Sequence, residues 1–429
     1  MTRPIGIDLF AGAGGLSLGF EAAGFDVVAA VEIDPIHCAA HKFNFPQCAT
    51  VCKSVVDVTG AELRRQATVG KRDIDVVFGG APCQGFSLIG KRALDDPRNQ
   101  LVYHFVRIVK ELRPKYFVFE NVKGLTLGQH RRFLQEIVEA FQAEGYDVLL
   151  PYKVLNAAEH GVPQDRRRLF LMGARKGQRL PQYPQPAGTA TVAQAIGDLP
   201  EAENFPELQS RDWVKAKFGR PSRYASILRG KTADPLDFSH PRLFDEKLLT
   251  SSALTEHTEL SRRRFAATAQ GKTEPVSRFL RLDPEGVCNT LRAGTASDRG
   301  AFTSPRPIHP FSSRVITVRE AARLHSYPDW FRFHTTKWHG FRQIGNSVPP
   351  HLARAVAGQV IAALGVAPSK PEPALPLGDP SLLSMSMDEA ARLFGVSTHV
   401  IPKRRISRQQ LYATTARERF EASEEAAYA

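Results

Sequence analysis

The chain has 429 residues, 42% of them hydrophobic and 24% charged, with a formal net charge of +13 and a pI near 9.6. That length exceeds what one compact core usually holds, and no apolar run approaches the roughly 18 residues of a membrane span. Five cysteines in so long a chain argue against a disulfide framework, and the basic balance favours a polyanionic partner.

The opening "MTRPIGIDLFAG" enters a strand-like segment without a signal peptide's apolar core, so a reducing, cytoplasmic setting is expected. Residues 1–177 then alternate short β-branched runs with amphipathic stretches. Strands are expected at "IGIDLF", "VVAAVEI", "IDVVFGG", "KYFVFENV" and "RRLFLMGA". Helices are expected at "LVYHFVRIVKEL", closed by Pro114, and "RRFLQEIVEAFQAEG", closed by Gly145. Such alternation predicts an α/β domain with a largely parallel sheet. Residues 178–288 are Pro-, Ser- and Arg-rich and irregular, as in a second, loop-rich module. Helical patterning returns in 289–365, at "TVREAARLHSY" and "HLARAVAGQVIAALG". That segment carries ten basic and three acidic residues, the most lopsided charge in the chain. Residues 366–429 form a Pro-rich linker and a tail whose "SMDEAARLFGVS" is a small helical unit or a loosely docked segment. It matches the first helix and turn of a helix-turn-helix, but Pro402 interrupts the helix that should follow.

The motifs carry the chemistry. In "IDLFAGAGGLSLGF", Gly12, Gly14 and Gly15 let the backbone turn tightly between a strand and a helix and approach a ligand closely. A dinucleotide fingerprint would place glycine at position 17, where Ser17 stands. Glu32 closes the second strand, where a carboxylate often holds a ribose diol, so an adenosine-containing cofactor is favoured over a plain turn. "GGAPCQGFS" puts Cys83 on a glycine-flanked turn at a strand end, better placed to react than to pack. Its thiol, with an ordinary pKa of about 8.5, needs a neighbour or local field to ionise. Glu120 of "ENV" ends the next strand; enclosed there, it has a raised pKa and can donate to a ring nitrogen. "QDRRRLF" places Arg166 and Arg168 on one strand face and Arg167 on the other. Singly these read as a structural cysteine, a surface glutamate and solvated arginines; at successive strand ends they point to a nucleophilic site. His37, His41, Cys48 and Cys52 have poor zinc spacing and are read as packing, so no metal is expected. Cys288 is expected to be buried. Arg262–Arg264 either touch nucleic acid or sit on a solvated loop.

"DLFAGAGG", "VEID", "GGAPCQGFS", "ENV", "GVPQDRRRLF", "TLRAG" and "QIGNSVPP" resemble, in order, the blocks of the DNA (cytosine-5) methyltransferase family. The resemblance covers residues 5–177 and about 289–365, and implies a Rossmann-like S-adenosylmethionine-dependent sheet with helices on both faces. Residues 178–288 would then be a smaller target-recognition domain, and 289–365 a return segment completing the catalytic domain and hinge. It further implies that Cys83 attacks C6 of a flipped-out cytosine, that Glu120 holds or protonates N3, and that Arg168 steadies the base near O2. Arg166 would support the loop or the phosphate backbone. The cofactor would meet Phe10, Gly12, Gly14, Glu32, Ile33, Asp57, Pro82, Leu101, Asn346 and Ser347, leaving as S-adenosylhomocysteine. Ser87, Arg98 and Thr290 would contact double-stranded DNA, and residues 85–100 would close over the base. A monomer on DNA, associated with the nucleoid of a prokaryote and with cognate restriction or phage-defence proteins, is the expected setting. A tRNA substrate, or a regulator that kept the fold without catalysis, are the alternatives.

Overall fold

The computed structural model describes residues 3–82, 100–127, 130–294 and 306–400; Cys83, Ser87 and Arg98 lie outside them. The first part of the chain runs β1 (Ile5–Leu9), α1 (Gly15–Ala23), β2 (Asp26–Glu32), α2 (Pro35–Asn44), β3 (Ala49–Cys52) and α3 (Gly60–Gln66). It continues as β4 (Val76–Gly79), α4 (Gln100–Leu112), β5 (Tyr116–Val122), α5 (His130–Ala143), β6 (Tyr146–Val148), β7 (Lys153–Asn156) and β8 (Arg167–Arg175). These strands form one sheet in the order β3-β2-β1-β4-β5-β8-β6, with β7 also pairing with β8. The strands from β3 to β5 run parallel, whereas β8 is antiparallel to β5, β6 and β7. Strand direction leaves no trace in apolar alternation, so the antiparallel end was not visible in the pattern.

The pleat sorts side chains onto two cores. Val76, Phe78, Tyr116 and Val118 face one, and Val77, Phe117 and Phe119 the other. On the first face Phe20 of α1 stacks on Phe78 with ring centroids 3.6 Å apart. On the second, Phe141 of α5 stacks on Phe117 at 3.7 Å, and Phe105 and Ile108 of α4 lie in the same core.

The middle of the chain has short elements: α6 (Val192–Ile196), β9 (Val214–Lys215), α7 (Arg223–Leu228), β10 (Arg242–Leu243), β11 (Leu248–Leu249) and α8 (Glu259–Ala267). The chain then returns through α9 (Val318–Leu324), α10 (Lys337–Asn346) and α11 (Pro350–Leu364). Helix α11 lies along α1 and fills the first core with Leu352 and Val356. The two helices approach so closely that a Cβ on Gly19 would stand 2.2 Å from that of Ala353. Last come β12 (Leu375–Pro376), paired with β10, and α12 (Met387–Phe394).

The basic excess of 289–365 is partly internal. Arg314, Arg319 and Arg323 are almost wholly buried. Arg314 pairs with Glu320 (2.8 Å) and with Glu201 (2.7 Å), and Arg323 with Asp329 (2.5 Å) and Asp198 (3.1 Å). These cations join the return segment to the middle module, so net charge overstates the surface available to a polyanion. Among the described residues no helix is long and apolar enough to cross a membrane.

Candidate active site

The parallel strands deliver their C-terminal ends to one edge, and the motif residues gather there. Glu120 is buried near the end of β5. The β5–β8 register sets Val122 opposite Arg168, which brings the Arg168 Nε to 2.9 Å from Glu120 Oε1. Burial raises the Glu120 pKa, opposed by the charges of Arg168 and Arg166. A Cβ on Gly80 would stand 2.4 Å from Glu120 Oε2, so the bare backbone after β4 is what admits the carboxyl. The Asn121 amide donates to the Ala81 carbonyl (2.9 Å), tying β5 to the turn that leads into Cys83. Pro82 and Leu101 border the segment that holds the thiol.

Arg166 is completely buried and donates to the carbonyls of Leu291 (2.8 Å), Gly345 (2.7 Å) and Ser347 (2.7 Å). Its terminal nitrogens are committed to protein carbonyls, which ties the start of β8 to the return segment. Gln164 reinforces the join: its Oε1 accepts from the Leu291 N–H (3.1 Å) and its Nε2 donates to the Leu324 carbonyl (3.2 Å). Thr290 donates its hydroxyl to the Asp165 carbonyl (2.6 Å). Arg167, on the opposite face, is exposed.

The glycine turn follows β1. Phe10 and Gly12 have φ of 63° and 56°, and Gly14 has 106°. A Cβ on Gly14 would lie 2.4 Å from the Phe45 ring, whereas one on Gly12 would meet nothing within 4 Å. The turn is therefore packed behind and open in front. Helix α1 starts at Gly15 with no side-chain cap. Glu32 fixes the turn from β2: its carboxylate accepts from the N–H groups of Gly12 (2.8 Å), Ile33 (3.0 Å) and Asp34 (2.9 Å). Beside it, the exposed Ile33 and Asp57 line one cavity of about 390 Å³. Asn346 ends α10, and Ser347 follows with its hydroxyl on the Ile344 carbonyl (2.8 Å). A Cβ on Gly15 would come 2.8 Å from that of Ser347, so the return segment abuts the turn.

Motif reading missed Asp8. It is fully buried beneath the turn, accepts from the Ser17 hydroxyl (2.6 Å), and leaves its Oδ1 without a hydrogen-bond partner. Burial pushes its pKa up to about 8. The Ser17 oxygen also lies 3.1 Å from His41 Nε2, and burial pushes that imidazole down to about 3. The signal was present as an acid inside the apolar strand "IGIDLF" and a serine where a glycine was sought. Cys38, Cys48, Cys52 and Cys288 are free and buried.

Residues 5–362 match the family model described as C-5 cytosine-specific DNA methylase. The chain is 74% identical over 404 residues to Type II methyltransferase M.XorII of Xanthomonas oryzae pv. oryzae, covering 94% of this chain and 95% of that protein. It is 34% identical to Type II methyltransferase M1.HphI of Haemophilus parahaemolyticus, covering 83% and 86%. In structure it resembles a DNA modification methyltransferase encoded within an E. coli prophage: TM-score 0.70, 35% identity, 85% of this chain and all of the other. The S. pombe Dnmt2 methyltransferase shares the fold at a TM-score of 0.52 and 16% identity, covering 85% of this chain and all of that one.

Proposed function

Because the chain belongs to the C-5 cytosine-specific DNA methylase family, we propose that it methylates C5 of a cytosine flipped out of a specific duplex sequence, through a Cys83–C6 adduct. The enzyme class is a DNA (cytosine-5) methyltransferase. Extrahelical presentation is required because the ring carbons are inaccessible within the stack. The open front of the glycine turn, the uncapped start of α1 and the Glu32 carboxylate fit S-adenosylmethionine, which supplies the methyl group when bound. Phe10, Gly12, Gly14, Glu32, Ile33, Asp57, Pro82, Leu101, Asn346 and Ser347 would hold it.

The roles of the chain's own groups follow. The Cys83 thiolate adds to C6, and the displaced ring electrons gather at C5 while Glu120 holds or gives a proton to N3. C5 then takes the methyl, loses its proton, and the C6–S bond breaks to return the thiolate, dividing one hard step into easier ones. Arg168 keeps Glu120 in place and lies on the side where the base O2 would be held. Ser87, Arg98 and Thr290 are the proposed DNA contacts, with 178–288 reading the sequence and 289–365 closing the catalytic domain. The observation that carries this reading is Glu120, buried and partnered by Arg168, on a strand whose Asn121 amide is bonded to the Ala81 carbonyl two residues before Cys83. The name of M.XorII, a Type II methyltransferase, supports a place as the modification half of a restriction–modification system. A phage-defence role and a monomer on DNA in a prokaryotic cytoplasm are part of the same proposal.

Bisulfite sequencing of plasmid DNA from cells expressing the chain tests this. Protected cytosines in one short sequence context, absent with Cys83→Ala, are expected. Equal protection with Cys83→Ala would sink the covalent mechanism, and no protection with soluble, cofactor-binding protein would turn the reading toward RNA.

A further inference from the structure

The cavity beside Ile33 and Asp57 is lined in part by the far end of the chain: Val396, Ser397 and Val400 join Ile33, Cys52, Lys53, Ser54 and Asp57 around it. Those first three residues lie past 362, outside the region matched by the family model. We infer that residues 395–400 are a binding wall for the adenine end of S-adenosylmethionine, with Val396 and Val400 covering the nucleoside together with Ile33. The inference rests on the cofactor reading above.

The tail is held in place by specific docking. Leu382 and Leu383 are buried against Ala39, Ala40 and Phe43 of α2, with Phe394 packed on the same cluster. Backbone bonds reinforce this: the Gly378 N–H donates to the Phe43 carbonyl (2.8 Å), and the Thr335 N–H to the Leu383 carbonyl (2.8 Å). Helix α2 begins directly after Glu32, Ile33 and Asp34, so the helix that holds the tail also carries the cavity's inner edge.

Helix α12 opens with a capping box between Ser386 and Glu389 and is stopped by Gly395 in the left-handed region, φ 64° and ψ 32°. The Val396 N–H donates back to the Ala391 carbonyl (3.0 Å) and the Gly395 N–H to that of Arg392 (3.2 Å). Both bonds of a Schellman ending are therefore made, and the chain reverses there toward the cavity. The reversal sets half-buried valines against an exposed isoleucine, with the exposed Asp57 carboxylate at the side. Three aliphatic side chains with the Asp57 acceptor and the Ser54 and Ser397 hydroxyls suit a purine with an exocyclic amino group, and the volume is of the size that small-molecule sites have.

The test is calorimetric binding of S-adenosylhomocysteine, and of adenosine alone, to the full chain and four variants. Val396→Asp and Val400→Asp should each weaken both ligands by about tenfold or more, the effect of losing an apolar contact in a pocket. Gly395→Val, which cannot keep the turn, should do the same, while Gly395→Asn, which tolerates that region, should stay within about threefold of the parent. The thermal midpoint without ligand should not move for the two valine variants, and duplex DNA affinity should hold. Unchanged affinity for both ligands in the valine variants overturns the inference alone. A parent chain that binds neither ligand overturns the cofactor reading beneath it.

Discussion

Arg168 and Glu120 meet across two antiparallel strands, guanidinium Nε 2.9 Å from carboxylate Oε1, with only about a tenth of either side chain exposed. Burial drives the carboxyl toward its neutral form and the cation resists. Arg168→Leu leaves burial opposed only by the charge of Arg166 and raises the Glu120 pKa further. If N3 receives its proton from Glu120, activity falls as pH rises through that pKa, so the alkaline limb of the kcat profile should move upward in this variant. The maximal rate should drop about 10²-fold, the scale of general acid catalysis. Arg168→Lys, which keeps the charge, should move the limb less; profiles of the three proteins decide it.

Gly80→Ala is expected to act on the same carboxyl from the other strand. The added methyl would stand 2.4 Å from Glu120 Oε2, so the carboxyl must shift. Misplacing a catalytic group by an ångström costs about 10²-fold in rate. S-adenosylmethionine affinity should change far less than the rate, because the glycine turn follows β1 and Glu32 ends β2, away from β4. Single-turnover rates beside binding constants separate the two.

Arg166→Ala removes three charge-assisted bonds to carbonyls from a fully buried position. The carbonyls of Leu291 and Gly345 lose that donor, while that of Ser347 keeps His325 Nε2 at 3.3 Å. A loss of about 3 kcal/mol is expected, with Arg166→Lys recovering part of it. Urea unfolding midpoints of parent and variants provide the measurement.

Asp8 makes stability depend on pH in the direction opposite to a salt-bridged carboxylate. Its pKa is raised from 3.8 to about 8 by burial, so the folded chain holds a proton there that the unfolded chain releases. The contribution is fully present below about pH 4 and is lost as pH rises through about 8. Across that window Asp8 contributes a fall of up to about 1.4 kcal/mol per pH unit. Asp8→Asn keeps an acceptor for Ser17 and should remove that fall; urea denaturation at pH 5, 7 and 9 reads it.

The edge-of-sheet placement of Glu32 and Glu120 was legible because it is local. "VEID" and "ENV" each place an acid at a strand end, and "AGAGG" permits the φ values found at Gly12 and Gly14. What stayed hidden depends on residues far apart in sequence. The grip of Arg166 on Leu291, Gly345 and Ser347 has no local signature, since a solvated arginine and a buried one look alike in "QDRRRLF". The same holds for Arg314 and Arg323, counted as surface charge but lodged in buried pairs. The segment "SMDEAARLFGVS" reads equally as the start of a helix-turn-helix or as a docked unit, and nothing local signals that Phe394 packs with Leu382 and Leu383 on α2. Ser17 looked like a defect in a glycine fingerprint and is instead the hydroxyl that serves Asp8.

The pairing of α1 with α11 also bears on when this protein becomes complete. Phe20 and its neighbours on α1 belong to a core whose other side, Leu352 and Val356, is made near the end of synthesis. At roughly 5–20 residues per second, α1 waits on the order of tens of seconds on the ribosome for the helix that covers it. Through that interval the nascent sheet carries an open apolar flank for chaperones to shield, and the turn beside Gly15 lacks Ser347 as its neighbour. Emergence of the last helices thus sets the earliest moment at which the first core can close.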